Sequence, residues 1–192
     1  MSAGASNSVT LESLVRRLDQ AVQSADPTSI CTQVKQVLIE VLGGQRFSVP
    51  ASFLQTVHTG YARRCLFRDP AGRYTVVVMV WGPGQGTPLH DHAGHWCVEC
   101  VYDGRIQVTS FELESESPGR VCFQQRGSVQ AGVGAAGALI PPFEYHTLHN
   151  PFDEKAVTIH VYQGELTWCH AFEPLAESGW FAPQRHELLY TT

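Results

Sequence analysis

Apolar residues in the first quarter of the chain recur at helical spacing. Between residues 11 and 22 they stand three, four and seven positions apart, which places them on one face of a helix. Asp26 followed by Pro27 is typical of an N-cap and a first helical residue, and the apolar residues that follow again line one face. The pattern predicts two helices that pack as a cap on the rest of the protein. Their apolar stripes are Leu11, Leu14, Val15, Leu18 and Val22, and then Ile30, Val34, Val37, Leu38 and Val41.

From residue 74 onward the chain is rich in β-branched and aromatic residues, and turn residues interrupt these runs about every ten positions. Asp103 and Gly104 form a strong hairpin signal, so the runs before and after them are predicted to pair. Many short strands joined by tight turns predict a closed barrel or a jelly roll. The predicted strands cover residues 74–81, 96–102, 105–113, 129–140, 147–150 and 156–162.

Chain length and composition favour one globular domain. With 192 residues, 43% of them hydrophobic and 16% charged, the chain can bury a sizeable core. We therefore expect a single mainly β domain over residues 1–192. Within it, residues 1–60 are expected to form the helical cap and residues 61–192 the barrel.

Charge and the length of the apolar runs limit the partners. The net charge of −5 provides no basic surface of the kind that nucleic acid or an anionic membrane requires. No apolar run approaches the roughly 18 residues of a membrane span, and the N-terminal segment lacks the features of a secretion signal. Six scattered cysteines without such a signal are expected to stay reduced. We expect a cytoplasmic protein that binds neither nucleic acid nor membrane.

Two histidines two positions apart are the most informative chemical feature. His90 and His92 follow a glycine-rich turn, and residues i and i+2 of a strand point to the same face, so both imidazoles can approach one cation. His146, in a strand-like segment farther along, is the best candidate for a third ligand. Three neutral imidazoles leave coordination positions open, as in catalytic sites. The alternative is a polar turn with exposed histidines, and imidazole ligands alone do not select among zinc, copper, iron and nickel.

The spacings around these histidines resemble the two cupin motifs. Gly84 is followed after five residues by His90, and His146 is followed after three residues by Asn150. Where most cupins have a glutamate as fourth ligand this chain has Cys97, a replacement that is the hallmark of the mammalian-type cysteine dioxygenases. The chain therefore resembles the cysteine dioxygenase type I family. The further segments that carry the resemblance, between residues 61 and 172, are Tyr61-Ala-Arg63, Trp81-Gly-Pro-Gly-Gln-Gly, Thr158-Ile-His160-Val-Tyr162 and Cys169-His-Ala-Phe172.

The resemblance implies a cupin barrel and an iron-dependent thiol dioxygenase. His90, His92 and His146 would hold one Fe(II) per chain, and L-cysteine would bind through its thiolate and amine. Both atoms of the co-substrate O2 would be added to sulfur, which gives cysteine sulfinate. Arg63 matches the family's carboxylate-binding arginine, and Tyr61 would line the same pocket. A solvated surface charge is the alternative for Arg63, and a packing role is equally open for Tyr61.

Thr158, His160 and Tyr162 alternate along a predicted strand, so they share one face. The family has Ser-His-Tyr here, and the match implies a catalytic row in which a hydroxyl orients the imidazole and the imidazole holds the phenol near the substrate. Cys97 matches the cysteine that forms a thioether bond with the tyrosine, here Tyr162. The alternatives are a satisfied core pair for His160 and Tyr162 and a buried apolar thiol for Cys97.

The chain departs from the family after Tyr162. Mammalian-type enzymes have Ser-Pro-Pro at this point, whereas this chain has Gln163 and Gly164, so oxidation of 3-mercaptopropionate is an alternative to oxidation of cysteine. Relatives that prefer 3-mercaptopropionate have glutamine in place of Arg63 and glycine in place of Cys97, and the sequence therefore favours cysteine. A zinc or nickel isomerase, or a ligand sensor without turnover, is a second alternative. A monomer is expected, although the sequence leaves the oligomeric state open.

Overall fold

The computed structural model describes residues 9–43 and 47–192, which form two α-helices, a short 3₁₀ helix and eleven β-strands. The helices are α1 Leu11–Ala21, α2 Pro27–Leu42 and the 3₁₀ helix Ala51–Leu54. The strands are β1 Ala62–Arg68, β2 Tyr74–Trp81, β3 Leu89–His90, β4 Cys97–Asp103, β5 Arg105–Ser117, β6 Arg120–Gly132, β7 Ala136–Leu139, β8 His146–His149, β9 Ala156–Gln163, β10 Trp168–Pro174 and β11 Trp180–Glu187.

Both predicted helices are present. The carboxylate of Asp26 caps α2, since it accepts a hydrogen bond from the backbone N–H of Ser29 at 2.9 Å. The predicted apolar stripe of α2 is buried at every position, and it packs against β4 and β7. No helix in residues 9–43 and 47–192 is long and apolar enough to cross a membrane.

The strands form two antiparallel sheets around a barrel interior. The first sheet has the order β1-β2-β9-β4-β7, and the second closes on itself in the order β10-β11-β6-β5-β8-β3. Strand β9 pairs with both β2 and β4, so it lies at the centre of the first sheet. This arrangement is the double-stranded β-helix of the cupins with two N-terminal helices, and it confirms the predicted fold.

The predicted hairpin at Asp103 and Gly104 is wrong. Strand β4 pairs with β7 and β9 in the first sheet, whereas β5 pairs with β6 and β8 in the second. The turn carries the chain between sheets. Gly104 has a φ of +70°, and a Cβ atom there would lie 2.5 Å from the carbonyl oxygen of Lys155. The glycine is therefore required for the crossing between sheets and not for strand pairing.

The predicted strand over residues 129–140 is interrupted in the structure. Between β6 and β7 the chain turns at Gly134, whose φ is +82°, and passes from the second sheet to the first. The sequence pattern also fails to predict β1, β10 and β11. These strands mix charged and apolar positions and are only partly buried, so they lack the continuous apolar run of β2.

The two faces of the first sheet have different surroundings. Val157, Ile159 and Val161 of β9 belong to an apolar cluster that includes the buried sides of both helices. His160 and Tyr162 alternate with these residues on the same strand, point into the barrel and line a cavity there. The alternation of β9 thus separates a packing face from a face that carries polar groups.

Candidate metal centre

Three imidazoles meet inside the barrel. His90 ends β3 and stands opposite His146, the first residue of β8. His92 lies in the turn beyond β3, so strand alternation does not explain its orientation, but its ring still approaches the other two. The ring centroids are 4.5–5.2 Å apart, and one nitrogen of each ring lies within 4.8 Å of the others. The structure thus brings together the three predicted ligands in a cluster that could hold one metal ion.

Hydrogen bonds on the far side of two rings orient them. The Nδ1–H of His90 donates to the carbonyl oxygen of Pro88 at 3.1 Å. In this neutral tautomer the lone pair of Nε2 is available to bind a metal ion. The Nδ1–H of His92 donates to Oε2 of Glu144 at 3.2 Å, and the backbone N–H of His92 donates to the same oxygen at 3.0 Å. Partners of this kind fix the tautomer of metal-binding histidines. The Nδ1 atom of His146 is buried and has no hydrogen-bond partner within the described ranges.

Burial keeps the three imidazoles neutral. Loss of solvation lowers the pKa of His90 and that of His92 to about 4, and it lowers the pKa of His146 well below the usual range. Neighbouring histidines lower the pKa of His90 and that of His146 further. Neutral imidazole is the form that binds a transition metal, so this donor set fits a cation at neutral pH.

No carboxylate belongs to the histidine cluster in the part of the chain that the structure describes. Glu144 approaches it only through His92. Burial, and to a smaller extent the charge of Asp91, raises the pKa of Glu144 to about 7. The sequence pattern does not single out Glu144. An acidic residue two positions before His146, in a segment of prolines and aromatic residues, is the signal that was available.

A buried arginine lies in the wall of the cavity beside the histidines. Arg63 is 3% exposed, which excludes the alternative of a surface charge. Its Nη2–H donates to the carbonyl oxygen of Leu166 at 2.7 Å, but Nε and Nη1 have no hydrogen-bond partner among the described residues. Buried unpaired N–H groups are unfavourable unless a ligand satisfies them. The residues that line this metal cavity include Tyr61, Arg63, His90, His92, His146, Leu148, His160, Tyr162, Leu166, Cys169 and Leu188.

Residues near the end of the chain complete the surroundings of Arg63. The sequence pattern does not predict these contacts. The ring of Tyr190 lies 4.5 Å from the guanidinium carbon, and the ring of Tyr162 lies 5.9 Å from it. The backbone N–H of Arg63 donates to Oγ1 of Thr191, and its carbonyl oxygen accepts from the N–H of Thr191. No local pattern near the chain end indicates these contacts, because their partners are more than a hundred residues away.

Thr158, His160 and Tyr162 form a row on the inner face of β9. Oγ1 of Thr158 lies 2.7 Å from Nε2 of His160, and the hydroxyl oxygen of Tyr162 lies 3.3 Å from Nδ1 of the same ring. The indole N–H of Trp81 donates to Oγ1 of Thr158 at 2.9 Å, and the ring of Tyr61 stacks on Trp81. Burial lowers the pKa of His160 to about 3 and raises that of Tyr162, so both side chains are neutral.

The family model "Cysteine dioxygenase type I" matches residues 5–174, which is most of the chain and includes all three clustered histidines. The chain belongs to the cysteine dioxygenase type I family. In this family member the three-histidine cluster is a metal site of the cupin barrel.

The curated relatives are distant members of the cysteine dioxygenase type I family. "Cysteine dioxygenase type 1" of Danio rerio is 26% identical over 167 residues, which cover 85% of this chain and 79% of that protein. The protein of the same name from Bos taurus is 24% identical with the same coverage. With the protein from Homo sapiens the identity is 23% over 103 residues, so the chain spans half the length of that relative.

Solved structures with a related architecture share even less sequence with this cysteine dioxygenase type I family member. An uncharacterized protein with a double-stranded β-helix domain from Klebsiella pneumoniae is 14% identical, with 74% of this chain and 95% of that chain covered and a TM-score of 0.49. A sugar phosphate isomerase from a cupin superfamily, from Silicibacter pomeroyi, is 19% identical, with 70% and 82% covered and a TM-score of 0.45. Neither likeness bears on function.

Cys97 stands directly opposite Tyr162 in the ladder between β4 and β9. Residues opposite each other in antiparallel strands have side chains close enough to touch. The Cys97 sulfur lies 4.0 Å from Nδ1 of His160, and burial raises the pKa of the thiol well above its usual value. The position suits the thioether of the cysteine dioxygenase type I family, but the bond itself stays a prediction.

The wall after Tyr162 is the region where this cysteine dioxygenase type I member departs from the family pattern. The backbone N–H of Gln163 donates to the carbonyl oxygen of Trp96 at 3.0 Å, and Gly164 turns the chain with a φ of +60°. Neither residue lines the metal cavity, whereas Leu166 does. The substituted residues therefore lie at positions that do not border the cavity directly.

Proposed function

We propose that this protein is an iron-dependent thiol dioxygenase that oxidises L-cysteine with O2 to cysteine sulfinate. The family assignment supports a thiol dioxygenase, and the three-histidine cluster supports one metal ion per chain. In the overall reaction the O–O bond breaks and two S–O bonds form at the cysteine sulfur. Sulfur is oxidised, O2 is reduced, and the thiol proton is released to solvent.

Fe(II) held by His90, His92 and His146 would supply a cationic centre that binds the substrate sulfur as thiolate and activates O2. The chain's own residues supply the rest of the site. The described residues place no carboxylate in the cluster, so the ligand shell carries no negative charge that would oppose an anionic substrate.

The observation that carries the proposal is the buried Arg63 with two unpaired nitrogens. Its guanidinium lines the same cavity as the three histidines, and Leu166 and Tyr190 hold it in place. A planar guanidinium binds a carboxylate bidentately, and the pair would satisfy the N–H groups that are otherwise buried without partners. A small substrate with a thiol at one end and a carboxylate at the other therefore matches both sides of the cavity.

Tyr162 lies between these two sides. Its ring is 5.9 Å from the guanidinium carbon of Arg63 and its centroid is 5.9 Å from that of His92. Because burial raises the pKa of Tyr162, the phenol keeps its proton and can donate it to the substrate in a hydrogen bond. Tyr61, stacked on Trp81, would close the wall of the cavity beside Arg63.

The experiment that tests the proposal is oxygen uptake by iron-loaded protein with cysteine, 3-mercaptopropionate or cysteamine. We expect uptake with cysteine, equal in amount to the sulfinate formed, and little uptake with cysteamine because it lacks the carboxylate. Faster turnover of 3-mercaptopropionate than of cysteine would replace the substrate and keep the reaction. Bound iron without oxygen uptake on any thiol would reject the dioxygenase in favour of an isomerase or a ligand sensor.

Substitution of Arg63 tests the substrate anchor, and its neighbour provides a matched control. Arg63→Ala is expected to raise KM for cysteine by about 10- to 100-fold with unchanged iron content, since a charge-assisted pair to a carboxylate contributes about 1.5–3 kcal/mol. Arg64→Ala is expected to have little effect, because Arg64 points away and donates to carbonyl oxygens of Phe53 and Gln55. An equal change in both variants would contradict the assignment.

The same proposal includes the thioether between Cys97 and Tyr162. Formation of this C–S bond removes one hydrogen from the thiol and one from the phenol ring, and the co-substrate O2 would accept the two electrons and two protons. We expect a fraction of the protein to lose two hydrogens in mass after turnover, and the Cys97 and Tyr162 peptides to be joined in a tryptic map. Separate peptides after prolonged turnover would contradict the crosslink.

A further inference from the structure

A buried glutamate that the sequence analysis missed faces the catalytic row. Glu99 on β4 is 8% exposed and stands opposite His160 in the ladder between β4 and β9. Its Oε2 has no hydrogen-bond partner among the described residues and lies 3.6 Å from Nδ1 of His160. A buried carboxylate without a partner opposes folding, and its position therefore suggests a functional role.

The hydrogen bonds of Thr158 favour one tautomer of His160. The indole N–H of Trp81 donates to Oγ1 of Thr158, so the hydroxyl proton of Thr158 remains to donate to Nε2 of His160. A neutral imidazole that accepts at Nε2 carries its own proton on Nδ1. That proton faces both the carboxylate of Glu99 and the hydroxyl oxygen of Tyr162.

The tautomer decides where the Tyr162 hydroxyl points. When Nδ1 of His160 carries the proton, it donates to the phenol oxygen, and the phenol proton is free to donate into the metal cavity. When Nδ1 carries none, it accepts the phenol proton, and Tyr162 offers the cavity no donor. A negative charge 3.6 Å from Nδ1 favours the first arrangement, because it attracts the N–H dipole.

We propose that Glu99 is a positioning residue whose carboxylate selects the Nδ1–H tautomer of His160 and so directs the Tyr162 hydroxyl toward the substrate. The effect on turnover rests on the proposed dioxygenase function, whereas the effect on the tautomer does not. Protonation of Glu99 removes the charge and supplies an O–H that can donate to Nδ1, which favours the opposite tautomer.

Glu99 can exchange its proton with solvent without passing through the metal cavity. It lines a second cavity of about 280 Å³, bordered also by Val101, Ile106, Val129, Leu139 and Leu148. Val129 is 62% exposed, so this second cavity reaches the surface. Leu148 lines both cavities and separates them. A substrate that fills the metal cavity therefore does not block proton exchange at Glu99.

The groups around Glu99 are neutral at pH 7, so burial is what shifts its pKa toward neutral pH. The titratable groups that face it are His160 and Tyr162 on β9 and Cys97 and Cys100 on its own strand. Strand β7 presents Gly137, which has no side chain. Each of these groups is neutral at pH 7, and burial raises the pKa of Glu99 to about 7.

Nitrogen-15 NMR of metal-free protein labelled at histidine measures the tautomer directly, with His160→Gln to assign the signal. We expect the ratio of the Nδ1–H to the Nε2–H form of His160 to rise about tenfold in the wild type as pH increases through about 7. Glu144 titrates in the same range, so Glu99→Gln is the decisive comparison. The ratio in Glu99→Gln should not change with pH. A constant ratio in the wild type, or the same rise in Glu99→Gln, would overturn the proposal.

Oxygen uptake gives the second readout. In iron-loaded Glu99→Gln we expect kcat for cysteine to fall about tenfold, with KM and iron content unchanged, since one hydrogen bond in the transition state is weakened. Glu99→Asp, which keeps the charge, should retain more activity than Glu99→Gln. Val129→Ala, at the exposed edge of the second cavity, is the control. A tautomer shift in protein that oxidises no thiol would reject the proposed function alone, whereas unchanged kcat in Glu99→Gln would reject the positioning role.

Discussion

The two faces of the first sheet are built from alternate residues of the same strands, yet they differ in chemistry. The outer face, toward α1 and α2, contains Val157, Ile159 and Val161 of β9, all fully buried among apolar side chains. The inner face of the same strand contains Thr158, His160 and Tyr162, which form a polar row in the barrel. One face therefore stabilises the fold, and the other holds reactive groups at the expense of stability.

Buried polar atoms without hydrogen-bond partners are found toward the barrel interior and not on the outer face of the described part of the first sheet. Arg63, Glu99 and His146 each have a buried side-chain atom without a hydrogen-bond partner among the described residues, and all three line cavities in the barrel. Folded proteins satisfy most buried polar groups, so such a concentration marks a site in which ligands complete the contacts. The outer face has no comparable need, because its contacts are apolar.

The largest expected effect comes from removing a ligand on the inner side. His92→Ala is expected to lower affinity for Fe(II) by at least about 100-fold, since loss of groups that merely orient ligands already costs about 10- to 100-fold. Metal-free His92→Ala should still unfold cooperatively, because His92 belongs to none of the apolar clusters of the described residues. Chelator competition measures the affinity, and circular dichroism measures the unfolding. Wild-type iron affinity in this variant would remove the three-histidine site.

The reverse outcome is expected on the outer face. Ile159→Ala removes a fully buried side chain between the sheet and the helices, and we expect the free energy of unfolding to fall by about 2–5 kcal/mol. Iron affinity of the folded fraction should stay unchanged, because Ile159 packs in the apolar cluster of the outer face, which contains none of the three histidines. Urea unfolding and iron titration at low temperature separate the two quantities. A large loss of iron affinity would show that the faces are not independent.

Much of this division could be predicted from the sequence. The continuous apolar run of residues 74–81 predicts β2 with the bounds observed, and residues 156–162 predict nearly all of β9. The spacing of His90, His92 and His146 also predicts ligands that the structure brings together. The two strands have a local period that the sequence displays, whereas the resemblance to a family places the distant third histidine.

The rest depended on contacts between distant segments. Glu99 looks like one acidic residue in an apolar run, and only the pairing of β4 with β9 shows that it faces His160. The turn at Gly104 has local hairpin chemistry, but the barrel uses it to change sheets. Tyr190 reaches Arg63 from the chain end. No local period encodes these contacts, so the sequence analysis missed them or misassigned the pairing.

The dependence of the free energy of unfolding on pH shows how much a buried charge on the inner face destabilises the protein, whereas the apolar outer face should contribute no such dependence. Burial raises the pKa of Glu99 from 4.5 to about 7, so the folded state binds the proton more tightly than the unfolded chain. Stability from this group is complete below about 4.5 and is lost as pH rises to about 7. We expect Glu99→Gln to be more stable than the wild type by up to about 3 kcal/mol at pH 8, and by little at pH 4.5.

Urea unfolding at both pH values measures the difference, and Ile159→Val on the outer face is the control whose effect should not depend on pH. If Glu99→Gln were less stable at pH 8 than the wild type, the carboxylate would have a stabilising partner. That result would contradict the conclusion that its buried charge destabilises the folded protein.

The smallest expected effect concerns a carboxylate outside the first sheet that supports the inner face. Glu144 accepts hydrogen bonds from both the ring and the backbone of His92. Glu144→Gln keeps an oxygen that can accept both bonds but loses the negative charge that strengthens the ligand as a donor, so we expect iron affinity to fall by about tenfold, the lower end of the range for such partners. Glu173→Gln, an exposed carboxylate on β10, provides the matched control and should bind iron like the wild type. If both variants bound iron equally well, the orientation of His92 would come from the turn after β3 alone, and polar support of the site would be confined to the first sheet.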